Sequence, residues 1–212
     1  MRTIYPCLAR RRAAAYLVRA AILAAPVLAA SPAAAHPHVF IENTVTLVMK
    51  DGAPDALRFS WIFDEMFSAT LRSNFVKGKP DKLSKETIAE IEKRAFANLA
   101  QFGYFIDLKI NDAPVKVSTV TGFDVMFANG RAVYQFVVPL QAPTPQAKNT
   151  IQIAVFDPEY YIDYRFAAAR PYGIEPADKP VAECSFTRDV PRQTESWGVV
   201  GADVVTCTYP AK

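Results

Sequence analysis

The stretch Val39-Phe40-Ile41-Glu42-Asn43-Thr44-Val45-Thr46-Leu47-Val48-Met49 decides the fold class. Val39, Ile41, Val45, Leu47 and Met49 alternate with Phe40, Glu42, Thr44, Thr46 and Val48. A period of two places one set on a buried face and the other on the opposite face, which is the pattern of a β-strand. Asp51-Gly52 follows as a turn signal, and Leu57 to Phe63 resumes as a second strand. The two are expected to pair as a hairpin.

Outward from this hairpin the pattern changes period. Asp64 suits a helix N-cap, and Glu65 suits the positive end of the helix dipole. Phe67, Leu71 and Phe75 recur every four residues, and Lys77-Gly78-Lys79-Pro80 stops the run. Ser84 and Glu86 open a second helix, whose buried face is read as Ile88, Ile91, Ala95, Phe96, Leu99 and Phe102, with Gly103 as its end. Strand patterns then return: Tyr104 to Ile110, a turn at Asn111-Asp112-Ala113-Pro114, and Val115 to Phe127. Asn129-Gly130 marks a hairpin into Ala132–Val138. Pro139 to Pro145 reads as a connection, Thr150 to Phe156 as a strand, and Asp157-Pro158 as a turn into Tyr160–Phe166. Arg170 to Lys179 reads as a loop. Cys184–Arg188 and Val204–Tyr209 read as two late strands. The expectation is an α+β domain: antiparallel sheet with two helices inserted after the first hairpin, and one C-terminal disulfide.

The first 35 residues stand apart. They hold Arg2, Arg10, Arg11, Arg12 and Arg19 and no acidic residue. Arg10-Arg11-Arg12 is followed by an apolar run from Ala20 to Ala30, then Ser31-Pro32-Ala33-Ala34-Ala35. Positive charge, a short apolar run and an A-x-A site at Ala33 and Ala35 predict a signal peptide over 1–35, cut before His36. The run is short for a membrane span, and Pro26 interrupts it. The mature chain, 36–212, is then expected to be one extracytoplasmic, periplasmic domain, soluble after cleavage. The whole chain has 24 Lys+Arg against 21 Asp+Glu, a net charge of +3. Removing the five leader arginines leaves 19 basic residues and a net charge of −2, which gives no reason to expect nucleic acid as a partner. Past the leader only Cys184 and Cys207 remain. An even pair in an oxidising compartment reads as a disulfide, worth about 3 kcal/mol in the chain-entropy picture; two thiolate metal ligands are the rival reading.

The chemistry concentrates at the new N-terminus. The chain has two histidines, His36 and His38. Cleavage before His36 gives it an α-amino group that can chelate a metal together with its own imidazole. Residues i and i+2 of extended backbone point to one side, so His38 can add a second imidazole. Neutral imidazole suits Ni, Co, Zn and Cu. Pro37 lacks the amide proton that a square amine–amide–imidazole site needs at the second position. Further ligands would come from carboxylates: Asp64 and Glu65, or Asp157, Glu159 and Asp163. Each has a bland alternative, with Asp64 as a helix cap, Asp157 as the opening of an Asp-Pro turn, and the histidines as a solvated terminus. The aromatic group Phe156, Tyr160, Tyr161, Tyr164 and Phe166 reads as core or sheet surface. With no other histidine, a conventional Ser-His-Asp or Cys-His centre has no internal imidazole. There is no H-E-x-x-H, G-x-S-x-G, P-loop or EF-hand loop. Enzymatic function is therefore not expected.

Three ordered motifs, Ala35-His36-Pro37-His38-Val39-Phe40-Ile41, Trp61-Ile62-Phe63-Asp64-Glu65-Met66-Phe67 and Phe156-Asp157-Pro158-Glu159-Tyr160-Tyr161, resemble the DUF1007 family. The resemblance spans nearly the whole mature chain. It implies a periplasmic protein linked with nickel/cobalt-type metal permeases, and sometimes with zinc homeostasis. It brings no established binding residues, but it directs interest to His36, His38, Asp64, Glu65, Asp157 and Tyr161. The expected function is a periplasmic accessory protein that binds a divalent transition metal (Ni, Co, Zn or Cu) and assists a membrane metal permease. The alternatives are a metal-free structural or partner-binding module of an envelope transport complex, and a copper-dependent redox enzyme built on the N-terminal histidine.

Overall fold

A computed structural model describes residues 37–78, 82–141, 148–177 and 181–210. The expected leader, 1–35, and His36 lie outside them, as do parts of the Lys77–Pro80 and Pro139–Pro145 connections. The opening hairpin forms as the alternation requires. β1 (Val39–Lys50) pairs antiparallel with β2 (Ala53–Phe63), with Lys50 opposite Ala53. The two turn residues Asp51 and Gly52 have φ of 51° and 79°, the paired left-handed conformation that matches strand twist.

Asp64 then caps α1 (Glu65–Phe75), and Ser84 caps α2 (Lys85–Ala95), each accepting from the amide three residues on. The second helix is shorter than its pattern suggested. It gives way to a 3-10 stretch, Ala97–Phe105. Within that stretch Gly103, Tyr104 and Phe105 take φ of 60°, 55° and 55°. This left-handed turn swings Tyr104 into the core and leaves Phe102 exposed, so Phe102 is not part of the buried face expected for it.

Nine further strands follow: β3 (Ile106–Ile110), β4 (Ala113–Val115), β5 (Thr121–Ala128), β6 (Arg131–Pro139), β7 (Lys148–Val155), β8 (Ile162–Phe166), β9 (Tyr172–Glu175), β10 (Glu183–Gln193) and β11 (Val199–Pro210). The expected Val115–Phe127 strand is two strands separated by an unpaired segment. Asn129-Gly130 turns β5 into β6 as expected, with φ of 51° and 82°. The stretch from Arg170 to Lys179 is not wholly loop, since β9 lies inside it.

The strands make two sheets, in orders β5-β6-β2-β1-β8, with β9 also on β1, and β10-β11-β7-β3-β4. The first is not purely antiparallel, because β8 and β9 both run parallel to β1. The reason is the path. β7 belongs to the second sheet, so the chain reaches the free edge of β1 by crossing between sheets, and no hairpin imposes reversal. Among the described residues the result is a mixed, mostly sheet fold with three helical segments.

Alternate residues of both sheets meet in one apolar cluster that includes Val45, Leu57, Phe59, Ile151, Ile153 and Val205. Trp61 is fully buried there, edge-on to Phe136 and against Phe96 and Tyr164. Cys184 and Cys207 face each other across β10 and β11 and form the expected disulfide. No described helix is long and apolar enough to cross a membrane.

Candidate functional site

The three motifs, separated by some twenty and ninety residues in the chain, come together around the start of β1. Two carboxylates organise the meeting. Asp64 Oδ1 accepts from the Phe67 amide at 2.8 Å, which is the helix cap. Its Oδ2 accepts from the Phe40 amide at 2.9 Å, and the Asp64 amide donates to the Phe40 carbonyl at 2.9 Å. One side chain thus caps α1 and closes the end of the β1–β2 ladder. Ser68 locks the same corner from beneath. Buried in the first helix turns, its hydroxyl donates to the Asp64 carbonyl at 2.6 Å and accepts from the Ala132 amide at 2.8 Å.

Asp157 is buried and organises the third motif. Its Oδ1 accepts from the Glu159 amide and its Oδ2 from the amides of Tyr161 and Ile162, each at 3.0 Å. A carboxylate suits this task because it is all acceptor and can take several donors at once. The turn puts Tyr160 at φ 55°. It aims the Tyr161 carbonyl at the start of β1, where it accepts from the His38 amide at 2.9 Å. From there β1 and β8 run in parallel register, Val39 opposite Ile162. The Pro158 carbonyl accepts from the Glu195 amide at 3.0 Å, which ties the same turn to the β10–β11 loop.

The side chains of this corner fall into two groups. The imidazole of His38 is exposed and lies 4.8 Å from the Tyr161 ring, tilted by 44°. Phe40 and Tyr161 are about half exposed, at 50% and 48%. Alternation puts His38, Phe40 and Glu42 on one face, flanked by Asp163 and Arg165 of β8. Beside them is a charged network that the sequence did not single out beyond Asp163. Arg165 pairs with Asp163 at 3.0 Å and with Asp189 at 2.6 Å. Arg131 lies 3.8 Å from Glu42, while its Nε donates to the Phe63 carbonyl. Burial raises the Asp163 carboxyl above the ordinary carboxylate range, against the opposing pull of Arg165. Buried Asp203 accepts from the Phe166 amide at 3.0 Å and from Arg188 at 3.5 Å.

Of the proposed ligand residues, His36 lies outside the described residues. His38, Asp64 and Asp157 are brought into one corner by the bonds above. Glu65 and Glu159 are exposed. Asp64 and Asp157 fill the bland roles as well, cap and turn, with both oxygens of each accepting backbone amides. Among the described residues no group of three or more His, Cys, Asp or Glu is arranged to hold a metal ion. Ser68 and Arg131 escaped sequence reading. Each acts on backbone atoms more than sixty residues away, and such a partner leaves no local pattern.

Residues 21–203 match the family described as a protein of unknown function (DUF1007). The chain belongs to the DUF1007 family. This DUF1007 chain is also 25% identical, over 139 residues, to an uncharacterized protein of Haemophilus influenzae; the match covers 63% of the chain and 64% of that relative. It is 27% identical over 97 residues to an uncharacterized 15.5 kDa protein in the trpE 3′ region of Spirochaeta aurantia, covering 46% of the chain and 69% of the relative. The motifs that carry the family resemblance are those that build the corner of β1, α1 and β8.

Proposed function

We propose that the protein works in the periplasm as an accessory protein of a membrane metal permease. In this reading it holds a divalent transition metal, Ni, Co, Zn or Cu, through His36-Pro37-His38, with His36 supplying amine and imidazole and His38 a second imidazole. The observation that supports it is the anchoring of His38: its main chain is tied to the Tyr161 carbonyl while its ring stays at the exposed surface. A His38 whose main chain is held at the start of a paired strand loses less freedom on binding than one on a frayed terminus. Asp64 and Asp157 are engaged with backbone amides, so the carboxylates best suited to complete the coordination are exposed Glu65 and Glu159, or donors of the permease. Binding should weaken as pH falls below about 7.7–8.0, where the α-amino group takes up its proton. The test is N-terminal sequencing of the secreted protein, followed by titration calorimetry with each metal. A protein starting at His36 should bind, and the His36→Ala/His38→Ala variant should not. Equal binding by that variant overturns the assignment.

A second reading is a metal-free, partner-binding module of an envelope transport complex. It is favoured by Phe40, Met66 and Tyr161, large apolar side chains left exposed in the three motifs. Capture of a membrane permease by metal-free protein, unaffected by chelator, would support it over the first.

A further inference from the structure

On the far side of the third motif is a groove of about 710 Å³. Its walls have three features that packing alone does not require. First, Phe102 is 56% exposed and lies flat on Phe105, with ring centres 5.4 Å apart and planes within 6°. Second, this geometry depends on the left-handed run Gly103-Tyr104-Phe105. Glycine adopts that conformation at no cost, but tyrosine and phenylalanine do not. Non-glycine residues held in this region gather at ligand sites, where the surrounding structure enforces them. Here the Phe156 amide donates to the Phe105 carbonyl at 2.8 Å, and Tyr104 is buried against Phe96. The left-handed run thus lies between the two stacked rings, directly after exposed Phe102. Third, the charge on the rim is unbalanced. Arg192 and Asp107 pair at 3.0 Å, and exposed Lys116 adds one positive charge. Apolar Ile106, Val115 and Val117 line the groove between the rings and Lys116.

We infer that this groove is a binding site for a small organic anion with an aromatic or apolar face. The ring of the ligand stacks on the Phe102–Phe105 pair, and its anionic group meets Lys116 and the outer face of the Arg192 guanidinium. A cavity of this size with an apolar wall and a few convergent polar groups has the character of small-molecule sites in general. The site is independent of the metal reading of His36-Pro37-His38, so its test is run with chelator present.

The probe is anilinonaphthalene sulfonate, an aromatic monoanion, with neutral N-phenyl-1-naphthylamine as its uncharged counterpart. The folded secreted protein should give saturable, single-site emission with the sulfonate. Phe102→Ala should weaken binding at least tenfold with an unchanged thermal melt, since that ring is exposed. Lys116→Gln should weaken the sulfonate several-fold and leave the neutral probe unaffected. Amide resonances of Ile106, Val115 and Val117 should shift on binding. Unsaturable emission, equal affinity in Phe102→Ala, equal weakening of both probes by Lys116→Gln, or shifts confined to the His38–Tyr161 corner would each overturn the inference.

Discussion

Replacing Asp157 by alanine should do more damage than any other single change in the candidate corner. The carboxylate is buried and accepts three backbone amides, from Glu159, Tyr161 and Ile162, all at 3.0 Å. A hydrogen bond to a charged group contributes about 1.5–3 kcal/mol. The three are not additive, and water can reach the exposed Glu159 amide once the carboxylate is gone, so the expected loss is about 3–5 kcal/mol. For a domain of the size of residues 36–212 each kcal/mol moves the melting temperature by about 2–4 °C. Asp157→Ala should therefore melt about 6–20 °C lower, followed by circular dichroism. Asp157→Asn keeps one acceptor oxygen and should lose about half as much. The damage should spread to the start of β1, because the turn presents the Tyr161 carbonyl to the His38 amide. Hydrogen exchange at that amide should accelerate in both variants. An alanine variant that melts within about 3 °C of the native protein, with its His38 amide still protected, would show that the backbone holds this turn without the carboxylate.

Three further outcomes follow from the same geometry. Ser68→Ala removes the acceptor for the buried Ala132 amide and should lower stability by about 1–3 kcal/mol in urea unfolding; an unchanged midpoint would remove Ser68 from the corner's support. At Gly201 an added Cβ would stand 2.6 Å from Asp189 Oδ1 and 2.8 Å from Asp189 Cα, and because backbone must move, Gly201→Ala should cost about 1–3 kcal/mol, read as a lower urea midpoint; a midpoint equal to the native one would show that the backbone at Asp189 yields freely. Burial raises the phenols of Tyr134 and Tyr209, and burial followed by the Asp157 charge raises that of Tyr164. Above pH about 10 the unfolded chain ionises these groups while the folded chain does not. The unfolded state then binds fewer protons, so stability falls as pH rises. The urea midpoint should drop progressively above about pH 10, with the ultraviolet phenolate signal of these residues appearing only on unfolding; ionisation in the native protein at the ordinary value would refute the assignment.

Local signals and long-range ones parted company in this molecule. The turns at Asp51-Gly52 and Asn129-Gly130 and the caps at Asp64 and Ser84 were legible because each is decided within a few residues. The cysteine pairing was legible because residues 36–212 hold only Cys184 and Cys207. The second helix misled at Phe102: its spacing fits a helix face, but the α-helix ends at Ala95 and Phe102 lies in the 3-10 stretch that follows, where the α-helical period no longer holds. The strand β9 escaped because Pro171 and Pro176 flank it and Gly173 lies within it, all residues that read as loop, while its pairing with Val45–Val48 is supplied by a strand over a hundred residues away.

The sequence by itself determined the hairpins, the helix starts and the residue types at the three family motifs, since alternation, left-handed turn residues and capping groups act over a turn or two of chain. Tertiary structure alone decided that β8 and β9 lie parallel on β1, that Asp64 closes a strand as well as capping a helix, and that the Asp157 turn carries the start of β1. These depend on edges and backbone donors left unpaired by elements distant in sequence, and a buried donor must find its acceptor wherever the fold brings one within reach.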